Sequence, residues 1–215
     1  MVDRIGGSLF IAFEGLDGSG KTEQIWRLYH SQKIEPIRDD IRVYSEPGGT
    51  YIGERIRGIL LEKIEDSSDG EMSDIAELLL YSASRAQLVE LEIIPSLRDG
   101  KIVICDRYAH STIAYQGHGL GMSMSQICDL QEFVTRGVWP DLVIYLDIDP
   151  QTGMDRKSEN RDRIESRDIE FFDRVRGGYL DMAHDDKERW VTIDASDSIE
   201  SVHQKILRII EKRLS

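Results

Sequence analysis

The chain has 215 residues, 40% hydrophobic and 31% charged, with 18 glycines and 5 prolines, which excludes wholesale disorder and a collagen-like repeat and is enough for one domain, residues 1–215, with a sizeable core. With 27 Lys and Arg against 40 Asp and Glu the formal net charge is −13, which disfavours nucleic acid and anionic membranes as partners but leaves room for a local phosphate site built from directed donors. No apolar run reaches about 18 residues, and MVDRIGGSLFIAFEG lacks the basic start of a secretory signal. Cys105 and Cys128 have no CxxC spacing and read as reduced core thiols, so a cytoplasmic location is expected.

In chain order, residues 8–14 (SLFIAFE) read as a buried strand, because an apolar run ends sharply in glycines. A helix follows over about 21–33, before Pro36, and a second strand at 41–45. Helices are expected at 50–64 and, beyond the polar EDSSDGEMSD, at 72–98. In the latter, Ile75, Leu79, Ser82, Ala86, Val89 and Ile93 form one packing stripe, while Tyr81, Arg85 and Leu88 share another face. Strands at 101–106, 141–148 and 189–194 alternate with helical stretches, including 123–136. A last helix carries Val202, Ile206, Ile209 and Ile210 behind the capping-box spacing of Asp197 and Glu200. Short apolar strands alternating with helices give an α/β fold with a parallel sheet covered by helices.

The string Gly15-Leu16-Asp17-Gly18-Ser19-Gly20-Lys21-Thr22 satisfies GxxxxGKT between a strand and a helix. Glycines let the backbone wrap phosphate oxygens, amides of the helix start point at them, Lys21 reaches the outer phosphates and the Thr22 hydroxyl can bind Mg2+. A guanine-reading NKxD is lacking, and a short acidic chain is poorly suited to a nucleic-acid motor, so small-molecule phosphoryl transfer leads. Tyr81 and Arg85, four residues apart, can face one cavity, although spacing alone equally suits a core tyrosine and a solvated arginine. Asp106 and Arg107 end a strand, where an acid can orient magnesium and an arginine can hold phosphate, or the two can form a surface pair. Ser111, Thr112, Tyr115 and Gln116 are expected in an irregular polar segment.

FEGLDGSGKTEQ (13–24), EPGGTYIGERIRGILL (46–61), LLLYSASRAQLVE (78–90), DRYAHSTIAYQG (106–117), PDLVIYLDI (140–148) and DRIESRDIEFFDRVRGGYL (162–180) occur in an order and spacing that resemble the thymidylate kinase family, in particular its prokaryotic-type members. The resemblance implies a P-loop nucleoside monophosphate kinase-like fold with a five-stranded parallel sheet. The activity it implies is transfer of the terminal phosphate of ATP to dTMP, with Mg2+, commonly in a homodimer formed through helices such as the one bearing Tyr81. It sets Tyr81 against the thymine face, Arg85 near the dTMP phosphate and Arg107 on that phosphate. Thr112 falls at the thymine edge, Tyr115 where a ribose 2′-OH would intrude, and Ser111, Gln116 and Pro47 around the same acceptor. Asp106 supports the metal, with Asp17 in a lesser metal or lid role, and Ala195 and Ser196 neighbour the donor adenine.

The family's arginine before EPGGT is Ser45 here, and Gly18 stands where some members carry a catalytic arginine. The resemblance therefore implies that residues of about 150–170 form a mobile lid supplying the cation, with Arg156 and Arg161 leading and Arg163 next. Arg167 and Glu165 fix the lid or approach the sugar. A kinase of another nucleotide or nucleoside, and an inactive nucleotide-binding protein, are the alternatives.

Overall fold

The computed structural model describes residues 7–62, 72–156 and 162–214. Five parallel strands, β1 (Leu9–Glu14), β2 (Ile41–Ser45), β3 (Ile102–Asp106), β4 (Leu142–Asp147) and β5 (Trp190–Asp194), lie in the order β2-β3-β1-β4-β5. The helices are α1 (Lys21–His30), α2 (Tyr51–Leu61), α3 (Asp74–Leu88), α4 (Ile94–Arg98), α5 (Ala109–Thr112), α6 (Met124–Thr135), α7 (Pro150–Asp155), α8 (Ile169–Asp185) and α9 (Ile199–Leu214). Alternation along β1 divides the core. Phe10 and Ala12 pack with Leu88, Val89, Ile93 and Leu97 on one face; Ile11 and Phe13 join Val202, Ile206 and Ile210 of α9 on the other. Both faces of a parallel sheet are thus covered, which is why its strands read as apolar runs. Among the described residues no helix is long and apolar enough to cross a membrane.

The five expected strands are present within a residue or so of their ends. The 72–98 helix is α3 running through a wide π turn (Val89–Ile93) into α4. That turn precedes Pro95, which has no N–H to give and whose ring would crowd the carbonyl four residues back.

Four local expectations are corrected. The segment expected to be irregular is α5 continuing into a π-helical stretch, Ile113–Gly119. Its β-branched, aromatic and glycine residues favour helix weakly, and packing against α8 enforces the conformation. Ile75 and Leu79, read as part of a packing stripe, are 63% and 52% exposed, so only the stripe's later half enters the core. Cys128 is exposed; Cys105 is a core thiol. Before α9, Ser198 Oγ takes the Ser201 N–H at 3.2 Å, while Asp197 binds Lys205, so the capping box does not form.

Candidate active site

Strand register places Phe13 beside Asp106 and Asp106 beside Ser45, so β1, β3 and β2 end together, and the connections leaving them build the site at the carboxyl edge of the sheet. The phosphate loop turns from β1 into α1 through left-handed glycines. Gly15 has φ 144°, and a Cβ there would lie 2.5 Å from the Leu146 carbonyl; one on Gly18 would strike the Gly153 carbonyl of α7. Only glycine fits at either position. Lys21 Nζ curls back to donate to the carbonyls of Gly15 (3.0 Å) and Leu16 (2.9 Å) and to Ser19 Oγ (3.5 Å). Burial, then repulsion from Arg107, lowers its pKa from 10.5 to about 8.

Thr22 Oγ1 donates to Asp106 Oδ2 at 2.5 Å across the gap from α1 to β3. Asp17 goes elsewhere, its Oδ1 taking Arg107 Nη2 at 2.8 Å. Arg107 also donates to the Gly15 carbonyl (3.0 Å), Ser111 Oγ (3.3 Å) and the Tyr115 hydroxyl (3.3 Å), and its guanidinium lies 5.2 Å from the centre of the Tyr115 ring. Its backbone is left-handed, φ 71°, a cost of order 1 kcal/mol or more for a residue with a Cβ. Strain of this kind persists where side-chain contacts overdetermine the conformation.

Around Arg107 opens a cavity of about 310 Å³, lined by Lys21, Thr22 and Asp106, by Pro47, Tyr81, Arg85, Ser111, Thr112, Tyr115 and Gln116, and by Arg107 and Asp17. The expected acceptor residues are therefore brought together. Arg85, 1% exposed, lines the cavity with all five donors occupied. Nε and Nη2 meet Glu46 Oε2 (2.7 and 2.6 Å), Nη1 meets Thr112 Oγ1 (2.8 Å) and Gln131 Oε1 (2.5 Å), and Nη2 also reaches the Tyr108 carbonyl (3.1 Å). A guanidinium so engaged orients Thr112 and Gln131 and has no donor left over for a phosphate. Burial raises the pKa of the Tyr81 phenol and of the Tyr115 phenol, keeping both neutral.

Of the expected donor-side and lid residues, Lys21, Thr22 and Glu165 line this cavity, whereas Arg156, Arg163, Arg167, Ala195 and Ser196 do not. Arg156 Nη1 donates to the Ala195 carbonyl (2.9 Å) and the Gly18 carbonyl (3.4 Å), tying the loop after β5 to the phosphate loop. Ser196 folds onto Asp194. Arg163 binds Glu77 of α3 (2.7 Å) and the Leu60 carbonyl (3.0 Å), and Arg167 binds Glu77 (2.9 Å). Arg161 lies outside the described residues, as does Lys157. The flanking Asp162, Ile164 and Glu165 line the cavity.

Three residues given no role by the sequence belong to the site. Arg57 of α2 lines the cavity and holds the Pro47 carbonyl at 2.9 Å; in a charged surface helix, only its place two turns past the EPGGT segment marks it. Glu14, wholly buried at the end of β1, takes Ser111 Oγ (2.6 Å), the Tyr179 hydroxyl (2.9 Å) and the Tyr108 N–H (2.8 Å), and burial raises its pKa. Its only mark in the sequence is an acid closing an apolar strand. Glu46, beneath Arg85, also has its pKa raised by burial, to about 7.

A glycine-rich loop and its lysine thus share one cavity with Tyr81, Thr112, Tyr115 and Gln116, on a parallel sheet of order 2-3-1-4-5, and a molecule so built is a P-loop kinase of the nucleoside monophosphate kinase type. The family model for thymidylate kinase matches residues 13–206, and the chain belongs to that family. It is 45% identical over 213 residues to the thymidylate kinase of Nostoc punctiforme, covering 98% of each chain. With that of Caldanaerobacter subterraneus it shares 39% over 206 residues, covering 95% of this chain and 96% of the other. The crystal structure of thymidylate kinase from Ehrlichia chaffeensis superposes with a TM-score of 0.75 at 34% identity, covering 95% of this chain and 99% of that one.

Proposed function

We infer that the chain catalyses the reaction of its family, ATP-dependent phosphorylation of dTMP to dTDP, with the base of dTMP in the inner cavity and its phosphate toward the phosphate loop. The observation that carries this reading is that one cavity is lined by Lys21, Thr22 and Asp106 together with Tyr81, Thr112, Tyr115 and Gln116. Tyr81 offers a ring face to the base, and Thr112, held by Arg85, offers a hydroxyl to its edge. Arg57 and Arg107 are the guanidiniums on the cavity wall with which an acceptor phosphate can pair. Arg85 supports the base end, a change from its expected place at the phosphate. Residues 1–215 act as one domain on one sheet, and the chain works as a homodimer in the cytoplasm.

Thr22 and Asp106 fit Mg2+: adjacent hard oxygen donors, too few for a closed protein cage, suit an ion that keeps waters and phosphate oxygens. When bound, Mg2+ supplies charge neutralisation at the transferring phosphate. Among the chain's own groups, Lys21 exchanges its carbonyl partners for phosphate oxygens and stabilises charge that grows in the transition state. Arg107, anchored by Asp17, orients the acceptor. Tyr115 fills the space beside the sugar, and Arg156 braces the donor side between Gly18 and Ala195.

A product assay with ATP against dTMP, dUMP, UMP, dCMP and thymidine tests the reading. Preferential dTDP formation is expected; an absence of ADP and dTDP in magnesium-containing buffer overturns it.

A further inference from the structure

We propose that Glu77 is a positioning residue for the transfer, a buried carboxylate that fastens the acceptor end of the cavity to the arginines of residues 162–168. Glu77 is 1% exposed. Its Oε1 takes Gln116 Nε2 at 2.8 Å, and its Oε2 takes Arg163 Nη1 at 2.7 Å and Arg167 Nη2 at 2.9 Å. It stands one turn before Tyr81 and two before Arg85 on α3, so the helix face that presents the ring to the cavity also carries the clasp. From Glu77 the connections run through Gln116 to the π-helical stretch, through Arg163 to the end of α2 at Leu60, and through Arg167 to Phe171 of α8, whose ring lies 4.8 Å from the guanidinium carbon. Between the two arginines, Ile164 and Glu165 line the cavity, and Ile164 is buried.

A carboxylate can be buried this deeply because two guanidiniums and an amide satisfy it, and removing it would strand two charges. Arg163 is fixed through Nε and Nη1, and its Nη2 is buried with no hydrogen-bond partner among the described residues. An acceptor that moves Tyr81 or Gln116 therefore moves the carboxylate that sets Arg163. ATP binding rests on the phosphate loop, which Glu77 does not touch, so loss of the clasp should fall on dTMP.

This inference rests on Gln116 belonging to the acceptor pocket, and the experiment separates the two. Steady-state kinetics in ATP and in dTMP are measured on the full chain for Glu77→Gln, Gln116→Ala, Arg163→Met and the combination of Glu77→Gln with Arg163→Met. Glu77→Gln is expected to lower kcat/KM for dTMP by about tenfold or more while KM for ATP stays within about twofold. Arg163→Met is expected to cost less than about threefold once Glu77 is gone, and distinctly more in the wild type. Glu77→Gln with Arg167→Met preserves the local charge of the cluster, so it guards against misfolding, and is expected to keep the dTMP defect with a near-native Tm. Effects that simply multiply, a KM for ATP rising in step with that for dTMP, or wild-type dTMP kinetics in the charge-preserving variant would each overturn the clasp. An unchanged KM for dTMP in Gln116→Ala would instead overturn the pocket assignment beneath it.

Discussion

Lys21 is the residue whose charge is most sensitive to a bound anion. Burial and the neighbouring Arg107 hold its pKa near 8 instead of 10.5, and a bound phosphate, being anionic, must raise it again. The sign follows: at pH 8 to 9 the free protein has lost part of that proton, so ATP binding should take one up and weaken as pH rises further. Calorimetry in buffers of different ionisation enthalpy reads this directly, and proton release on binding would contradict it. Lys21→Ala should lower single-turnover transfer roughly 100- to 1000-fold in a folded protein. Tyr115 invites a different comparison. Its hydroxyl sits between Arg107 and Asp17, so Tyr115→Phe should keep discrimination by shape, whereas Tyr115→Ala should lower the preference for dTMP over 5-methyl-UMP, measured as a ratio of kcat/KM values. An unchanged ratio in the alanine variant would show that Tyr115 does not read the sugar.

Among the elements, α3 is where sequence and structure part most instructively. Its length and its cavity face, Tyr81 and Arg85, were legible, because helical periodicity fixes which residues share a side. What covers each side was not legible, since Ile75 and Leu79 repeat at core spacing yet stand in solvent. Exposed Ile52 and Ile59 on α2 and Phe133 on α6, both helices packed against α3, add to the apolar surface. A pair of α3 helices from two copies would bury it. Replacing Ile75 and Leu79 by Glu should convert a sedimenting dimer to monomer with little loss of Tm; a wild type that stays monomeric at all concentrations would end the dimer proposal. The phosphate loop was readable as a turn between β1 and α1, because its glycine spacing is local, while the partners of Asp17 and Thr22 on Arg107 and Asp106 were not. Glu14, Glu46 and Glu77 were not, because a carboxylate becomes part of a site only through partners about 30 to 100 residues away.

For the molecule as a whole, acid is the expected weakness. His110 is buried between the rings of Trp139 and Trp190, and burial, then the charges of Arg189 and Arg85, depress its pKa from 6.5 to about 3, with Asp186 opposing. Between those values the unfolded chain holds the extra proton, so stability should fall as pH is lowered from 6.5, by up to about 1.4 kcal/mol per pH unit from this residue. Glu14, whose pKa is raised, acts oppositely: its contribution is present below 4.5 and is lost as pH rises through its folded value. Urea unfolding of wild type and His110→Phe between pH 4 and 7 isolates the histidine, and equal slopes would refute its role. The strand order has a consequence for synthesis. β1 pairs only with β3 and β4, Leu9 meeting Ile102 and Ile11 meeting Leu142. A ribosome making about 5 to 20 residues per second therefore leaves β1 without either neighbour for several seconds at least. The phosphate loop, among the first segments translated, can close against β3 and β4 only after about two-thirds of the chain has been made, and until then β1 is an apolar strand with neither edge paired.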